Sequence, residues 1–384
     1  MKKLFVVICR PSEDEKIEPE QQMLYFSPLY EHTYRKFADA VKLLGLEYEV
    51  VRSATFTLEG VSNEINCDIE DIVAFTHPLA FLAERSVIED AISFVATNDL
   101  AYATVGSARG LYATIGTGKM LAEDTVSSPY DFITMIGNCG ASCENKGFGN
   151  EKATPDTKRE YLHRVERYRR EFLDYLCEFG VQIDLYDGVM ISPVTSIGEG
   201  TVILPNTQIL GHSIIGQGCL IGPNAIVSGS IVCDRCVVDS SYIYASTIEK
   251  EVEIGPFCHI SEGCHLLSHS KTLAYSKLKG VTLGVSSKIY EHCLIEDCDI
   301  GARVTIGAGT QSVNYDGKKA FECKISDDAF VGAGVQLIAP LSIGHGAYVA
   351  AGSTITDDVP NGALAIAREY QSNHDGWARR RKNK

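Results

Sequence analysis

No apolar run of spanning length occurs in this 384-residue sequence. Its first apolar stretch, Leu4 to Cys9, is strand-sized and soon meets charges, whereas a membrane helix needs about 20 apolar residues and a leader its own apolar core. Surplus positive charge is missing as well. Lys and Arg number 35 against 50 Asp and Glu, a net charge of −15, so nothing argues for a nucleic-acid surface. The one basic cluster, Arg379-Arg-Arg-Lys382, reads as a solvated terminal tail. A cytoplasmic protein with no nucleic-acid and no membrane partner is expected. Thirteen cysteines are present, but a metal-ligating pattern is lacking. Cys219, Cys236, Cys258, Cys264 and Cys293 fall where a repeat asks for a small residue, and a reduced thiol serves there as a small hydrophobe. Cys233-Asp-Arg-Cys236 has metal spacing, yet the repeat already accounts for one member.

That repeat is the dominant feature of the chain. From Ile197 to Pro360 the sequence runs in hexads: Ile197-Gly-Glu-Gly-Thr, Ile215-Gly-Gln-Gly-Cys, Ile254-Gly-Pro-Phe-Cys, Ile306-Gly-Ala-Gly-Thr, Val331-Gly-Ala-Gly-Val, Ile343-Gly-His-Gly-Ala. An aliphatic leads each unit and a small residue follows four places later, a period that fits neither an amphipathic helix nor an alternating strand. It predicts a left-handed parallel β-helix in which three hexads close one triangular coil. The aliphatic fills the interior, and Gly, Asn or Asp turns the corners.

Ahead of the repeat, strands alternate with helical periodicity, which predicts an open α/β sheet. Lys3–Cys9, Tyr48–Val51, Asp71–Phe75 and Ala101–Val105 read as strands, Tyr30–Leu46 and Phe81–Ala96 as helices. Gly116-Thr-Gly-Lys119 lacks the earlier Gly and the following Ser/Thr of a phosphate loop and reads as a turn. The Gly-rich stretch Ile136–Ala153 reads as a loop or lid, and its Cys139 and Cys143 as a candidate redox or metal pair. Thr157 with Glu160 makes a capping box for a helix whose apolar stripe is Leu162, Val165, Phe172, Leu173 and Leu176, ending at Gly180. The division expected is 1–153 for the sheet domain, 154–183 for a linker helix, 184–370 for the β-helix and 371–384 for a basic tail.

The order of parts resembles the GlmU family, bifunctional enzymes with an N-terminal uridyltransferase and a C-terminal acetyltransferase. Leu162-His-Arg-Val-Glu-Arg-Tyr168, Ile254-Gly-Pro-Phe257, Asn314-Tyr-Asp-Gly317, Val349-Ala-Ala-Gly-Ser-Thr-Ile355, Ala363-Leu-Ala-Ile-Ala-Arg368 and Gly376-Trp377 are similar to its landmarks, and Ser27–His32 and Pro78-Leu79 faintly so. The resemblance implies a nucleotidyltransferase-like, Rossmann-like first domain, a homotrimer, and acetyl-CoA as co-substrate. It also marks departures. The family's phosphate loop is replaced by Pro11-Ser-Glu-Asp-Glu15, whose charges repel phosphate. The positions of its two metal ligands fall on Thr76 and near Lys158. The first domain is therefore expected to hold no Mg²⁺ and to have lost the uridyltransferase.

In the second half the resemblance carries over Lys279, Asn314 and Tyr315 to the acceptor, and Ala333, Ala351 and Arg368 to the coenzyme. The family's Ser falls on Ala333, its Arg on Ser261, its Tyr on Leu294, a Lys on Ala320 and its catalytic His on Glu291. An ammonium must lose its proton before it attacks a thioester, so Glu291, or His292 shifted inward at the corner, is the candidate base. No metal site is assigned. Three readings stand open: an acyl-CoA-dependent acyltransferase on an amino sugar, sugar phosphate or nucleotide sugar; a non-catalytic paralogue that binds nucleotide sugar or CoA; and a zinc enzyme using His259, His265, His269 and His292.

Overall fold

The computed structural model describes residues 2–8, 23–24, 27–53, 71–76, 80–98, 101–107, 110–117, 144–149, 151 and 155–382. They form two units, Met1–Glu199 with Gln208–Ser213, and Gly200–Thr207 with Ile214–Lys384.

In the first unit β1 (Lys2–Ile8), β4 (Tyr48–Ser53), β5 (Ile72–Thr76), β6 (Ala101–Ser107), β7 (Gly110–Thr117) and β8 (Glu144–Phe148) make one sheet of order β4-β1-β5-β7-β6-β8, while β2 (Met23–Leu24) and β3 (Ser27–Pro28) pair separately. β1 lies parallel to β4 and β5, β7 runs antiparallel to β5 and β6, and β8 is parallel to β6. Apolar runs such as Leu4–Val7 and Ile72–Phe75 are buried on both faces, as strands flanked on two sides must be. Two sequence expectations are corrected here. Gly116 and Thr117 are not a turn but the end of β7, paired with Val73 and Ile72; residues 118 and 119 lie outside the described residues. Glu144–Phe148, read as loop, is a strand at the sheet edge, where one ladder of backbone bonds suffices and apolar alternation is not needed. Cys139 and Cys143 and the acidic segment 11–20 lie outside the described residues.

Helix α1 (Leu29–Leu43) buries Phe37, Ala40 and Val41 and ends at Gly45, whose φ of +63° only glycine adopts without strain. A 3₁₀ turn at Ala80–Leu82 and α2 (Arg85–Thr97) follow, with Ile88, Ala91, Ile92 and Val95 inward. Helix α3 (Lys158–Glu178) starts as expected: Thr157 Oγ1 accepts the Glu160 amide at 3.1 Å, and the Glu160 carboxylate reaches back to the Asp156 amide at 2.9 Å. Leu162 is not on the buried stripe. It is 55% exposed, and Val165 and Tyr168 join the core with Tyr161 packed beside them. Buried polar contacts fix α3 to the rest of this unit. His32 Nδ1 and the Tyr168 hydroxyl are 3.1 Å apart, and Lys36 pairs with Glu171, which also accepts the Arg85 amide at 3.3 Å. Burial holds the Lys36 ammonium below its usual range, with Glu171 opposing the shift.

The second unit is a parallel β-helix of short strands stacked in three flat sides. On the first, Val202, Leu220, Val237, Glu253, Lys271, Lys288, Thr305, Phe330, Tyr348 and Leu364 stack in register. Residues Ile226, Tyr242, His259, Lys277, Leu294, Gln311, Gln336 and Thr354 do so on the second. The third carries Ile214, Ile231, Thr247, His265, Thr282, Asp299, Lys324 and Ser342. The leading aliphatics (Ile221, Ile254, Ile306, Val331, Ile343) are fully or almost fully buried. Cys219, Cys236, Cys258, Cys264 and Cys293 are buried at the small positions, with Cys298 and Cys323 likewise inward. Burial pushes the Cys293 thiol up to about 11, which keeps it an unreactive hydrophobe.

Corners are less restricted than the sequence implied. Phe257, Tyr275, His292, Arg235 and Arg303 take φ near +60° there alongside Asn, Asp and Gly, because each corner amide donates to a carbonyl of the preceding coil. The basic stretch after Gly376 is helical, α4 (Trp377–Lys382), with the Arg381 guanidinium 5.3 Å over the Trp377 ring.

Two polar residues among those described take interior aliphatic places: Ser312, which pairs with Leu337 and whose hydroxyl bonds the Glu296 backbone, and Thr272. Thr272 occupies the place of Ile254 and Ile289, and neither its hydroxyl nor that of Ser270 finds a partner among the described residues. An orphaned buried hydroxyl costs about 1–3 kcal/mol. Thr272→Val is therefore expected to raise the urea midpoint of the β-helix by an amount equivalent to about 1 kcal/mol. An unchanged or lower midpoint would show that the hydroxyl is satisfied.

Candidate functional site

The second flat side has two edges, and every candidate acceptor, coenzyme and base residue of the second unit lies along one or the other. Its first edge is the corner carrying Phe257, Tyr275 and His292, followed by Gly309, Gly334 and Gly352. A continuous set of backbone bonds runs down it: His292 N to Ala274 O (3.0 Å), Gly309 N to Glu291 O (2.9 Å), Gly334 N to Ala308 O (2.8 Å) and Gly352 N to Ala333 O (2.9 Å). Arg368 closes the row, its Nη1 donating to Ala351 O at 2.7 Å. The structure thus brings Glu291, His292, Ala333, Ala351 and Arg368 onto one corner, although up to 77 positions separate them in sequence (368 minus 291).

The upper part of this corner is aromatic and the lower part bare. Phe257 stacks on Tyr275 at 5.2 Å between centroids, and Tyr275 on His292 at 5.1 Å with planes 4° apart. Below His292 three glycines supply no side chain, so the far face of the imidazole opens onto a strip of main chain. Arg368 at its end is exposed and among the described residues has no carboxylate partner. His292 is not turned inward as the sequence reading allowed: its φ of +60° points the ring outward, against Tyr275. Glu291 beside it is half-buried.

Along the other edge, Lys279 stands exposed in register with Ser261 and Glu296. Glu296 pairs instead with Lys277 at 3.0 Å, which leaves Lys279 without an ion-pair partner among the described residues. Ser261 turns its hydroxyl to Leu278 O at 3.1 Å. Asn314 is buried and donates to Asp297 Oδ2 at 2.7 Å, opening the loop 314–322. Phe321 N returns to Asn314 O at 2.8 Å, and Asp316 caps the Lys318 and Lys319 amides at 2.8 and 2.9 Å. Tyr315 projects from this loop, 63% exposed. The far end of the loop, Phe321 and Glu322, lines a polar cleft of about 450 Å³ together with Thr282, Asp297, Asp299 and Lys324. Sequence reasoning missed that cleft and the aromatic residues of the flat side, Tyr242 and Tyr244, because the hexads fix which residues point outward but not which coils align.

The histidines of the zinc reading are dispersed. His259 meets Tyr242, His265 meets Glu249, His269 meets Glu251, and His292 meets Tyr275. Among the described residues no three His, Cys, Asp or Glu side chains converge to hold a metal. In the first unit, Thr76 is buried and its hydroxyl donates to Val7 O at 3.1 Å. Among the described residues no helix is long and apolar enough to cross a membrane.

Two family models match the repeat: the bacterial transferase hexapeptide (six repeats) over residues 194–229 and the hexapeptide repeat of succinyl-transferase over 323–357. The chain is 46% identical over 190 residues to the bifunctional protein GlmU of an Exiguobacterium species, covering 50% of this chain and 42% of that one. With the bifunctional protein GlmU of Thermoanaerobacter pseudethanolicus it shares 40% over 267 residues, 68% of this chain and 58% of the other. It spans about half the length of these curated relatives. A UDP-N-acetylglucosamine acyltransferase of Francisella novicida superposes at 16% identity and a TM-score of 0.37 over 48% of this chain and 67% of its own, too loosely to add to the fold read from strand pairing. The left-handed β-helix of hexapeptide repeats expected from sequence is borne out. Over the half to two thirds of its length that matches, the chain is similar to bifunctional GlmU proteins, and its repeat matches the transferase hexapeptide models.

Proposed function

We infer that the chain is an acyl-CoA-dependent acyltransferase acting on an amino sugar, sugar phosphate or nucleotide sugar, and that it has lost the uridyltransferase of its longer relatives. The observation that carries this reading is the corner of Ala333, Ala351 and Arg368 beneath His292, a strip of main chain ending in an exposed guanidinium. A pantetheine arm needs backbone donors and acceptors along its length, and a nucleotide phosphate favours Arg. The acceptor meets Lys279, Asn314 and Tyr315 on the opposite edge of the same flat side, so nucleophile and thioester approach across it.

In the reaction the acceptor nitrogen or oxygen loses a proton to Glu291, or to His292 next to it, and attacks the thioester carbonyl. The new C–N or C–O bond forms as C–S breaks, and the thiolate leaves with a proton returned by the base. Acetyl-CoA is consumed as co-substrate. No Mg²⁺ is assigned to the first unit: a hydroxyl already used on Val7 stands where a metal-holding carboxylate is needed. A cytoplasmic homotrimer, divided at 1–153, 154–183, 184–370 and 371–384, completes the reading. The second reading, a non-catalytic binder of nucleotide sugar or CoA, draws on Ser261 and Leu294, which supply neither charge nor phenol to an acceptor.

Release of free thiol from acetyl-CoA on addition of a panel of amino sugars and sugar phosphates separates the two. Turnover with at least one acceptor, lowered about 10²-fold or more in kcat by Glu291→Gln or by His292→Ala, is expected. Coenzyme A binding without turnover on any acceptor favours the binder, and turnover indifferent to both substitutions overturns the assignment of the base.

A further inference from the structure

Five aromatic or cationic side chains of the second flat side serve no purpose in the interior or at the corners. Tyr242 and Tyr244 stand on one strand with their rings 5° from parallel and centroids 6.4 Å apart. His259, one coil on, meets the edge of Tyr242 at 4.9 Å and 73°. The register then runs Tyr242, His259, Lys277 in one row and Tyr244, Ser261, Lys279 in the next. Tyr244 and Lys279 are therefore separated by two coil spacings, about 10 Å at the usual strand separation. Between them Ser261 offers a small, hydroxyl-bearing floor. Tyr244 is 38% exposed, His259 is exposed, and Lys277 is neutralised by Glu296, so Lys279 is the cation left for a ligand.

We propose that this face binds a nucleoside diphosphate portion of the acceptor, with the base against the Tyr242–Tyr244 rings and the phosphates over Ser261 toward Lys279. Flat rings stack on exposed tyrosines whatever the base. The separation from Tyr244 to Lys279 matches the reach from a base to its second phosphate in an extended nucleoside diphosphate. A bare sugar phosphate fills only the Lys279 end and leaves both tyrosine rings in water. Ser261 has a positive reason on this account: an Arg there stands where the ribose and first phosphate must pass. The inference deepens the acyltransferase reading and rests on it, since it chooses the nucleotide sugar among the acceptors named above.

Isothermal titration of the full chain with UDP, ADP and pyrophosphate tests it. UDP and ADP are expected to bind at least about fivefold more tightly than pyrophosphate, the margin that one stacked base supplies. Tyr244→Ala should erase that margin with an unchanged unfolding midpoint, and Lys279→Met should weaken all three ligands about tenfold or more. A margin that survives in the Tyr242→Ala/Tyr244→Ala variant places the nucleotide elsewhere on the chain and overturns the proposal, as does UDP binding no tighter than pyrophosphate. Coenzyme A titrated into the same samples keeps the two ideas apart. Retained coenzyme binding with a failed UDP margin refutes this face alone, whereas absent coenzyme binding refutes the acyltransferase reading itself.

Discussion

Gly284→Ala is expected to break the β-helix cooperatively, at a cost of more than about 4 kcal/mol, the range reserved for substitutions that a packed fold cannot absorb. Gly284 has an ordinary backbone conformation, so the cost is not one of left-handed strain. A Cβ placed there lies 2.1 Å from Gly301 O, 2.2 Å from Gly301 C and 2.6 Å from Ala302 N, all backbone of the next coil. None can retreat, because Gly284 N is bonded to Ile300 O at 2.8 Å and Gly301 N to Ile325 O at 2.7 Å. Moving one coil strips the ladder on both sides. Gly346→Ala is the matched control. Gly346 has a φ of +62° and nothing within 4 Å of the added Cβ, so its cost is conformational only, about 1–2 kcal/mol. Urea unfolding monitored by far-ultraviolet dichroism compares them. Similar losses at the two positions would contradict the account of how the coils are spaced.

Arg368→Met is expected to weaken coenzyme A by about 10- to 100-fold while leaving the unfolding midpoint where it was. A charge-assisted hydrogen bond is worth about 1.5–3 kcal/mol, and that converts to such a factor at 1.4 kcal/mol per decade. Arg368 is exposed, and its bond to Ala351 O occupies one of its five donor positions. Arg368 is exposed at the end of the glycine corner, where the proposed coenzyme would bring its phosphates. In kinetic terms the loss should fall on KM for acetyl-CoA, with kcat changed far less, since the guanidinium stands several coils from Glu291. An equal fall in kcat would make Arg368 part of the reacting centre and contradict the placement of the coenzyme.

Much of the architecture was legible in the residues. Ile254-Gly-Pro-Phe-Cys258 declares its interior and small positions without ambiguity, because a coil admits only an aliphatic and a slender side chain at those two places. The capping of α3 by Thr157 and Glu160 was equally plain, since the two act within one turn. What failed to show is what depends on neighbours far away in sequence. Glu144–Phe148 carries no alternating pattern, and only the exposed flank of β6 makes it a strand. Phe257, Tyr275 and His292 are residues that avoid positive φ in isolation, and the bond from each amide to a carbonyl of the preceding coil is what sustains it. The loop 314–322 lengthens one coil, so a strict six-residue count loses alignment there, and with it the cleft beneath the loop. For the site, the residues sharing a corner could be named one by one from resemblance, but their common edge emerges only from the register of the stacked coils.

A crystal structure of the chain grown with coenzyme A tests the central claim most directly. The account predicts the pantetheine arm along Gly309, Gly334 and Gly352, its phosphates at Arg368 and its sulfur toward Glu291 and His292. Coenzyme found only in the sheet unit, or on another side of the β-helix, would contradict it.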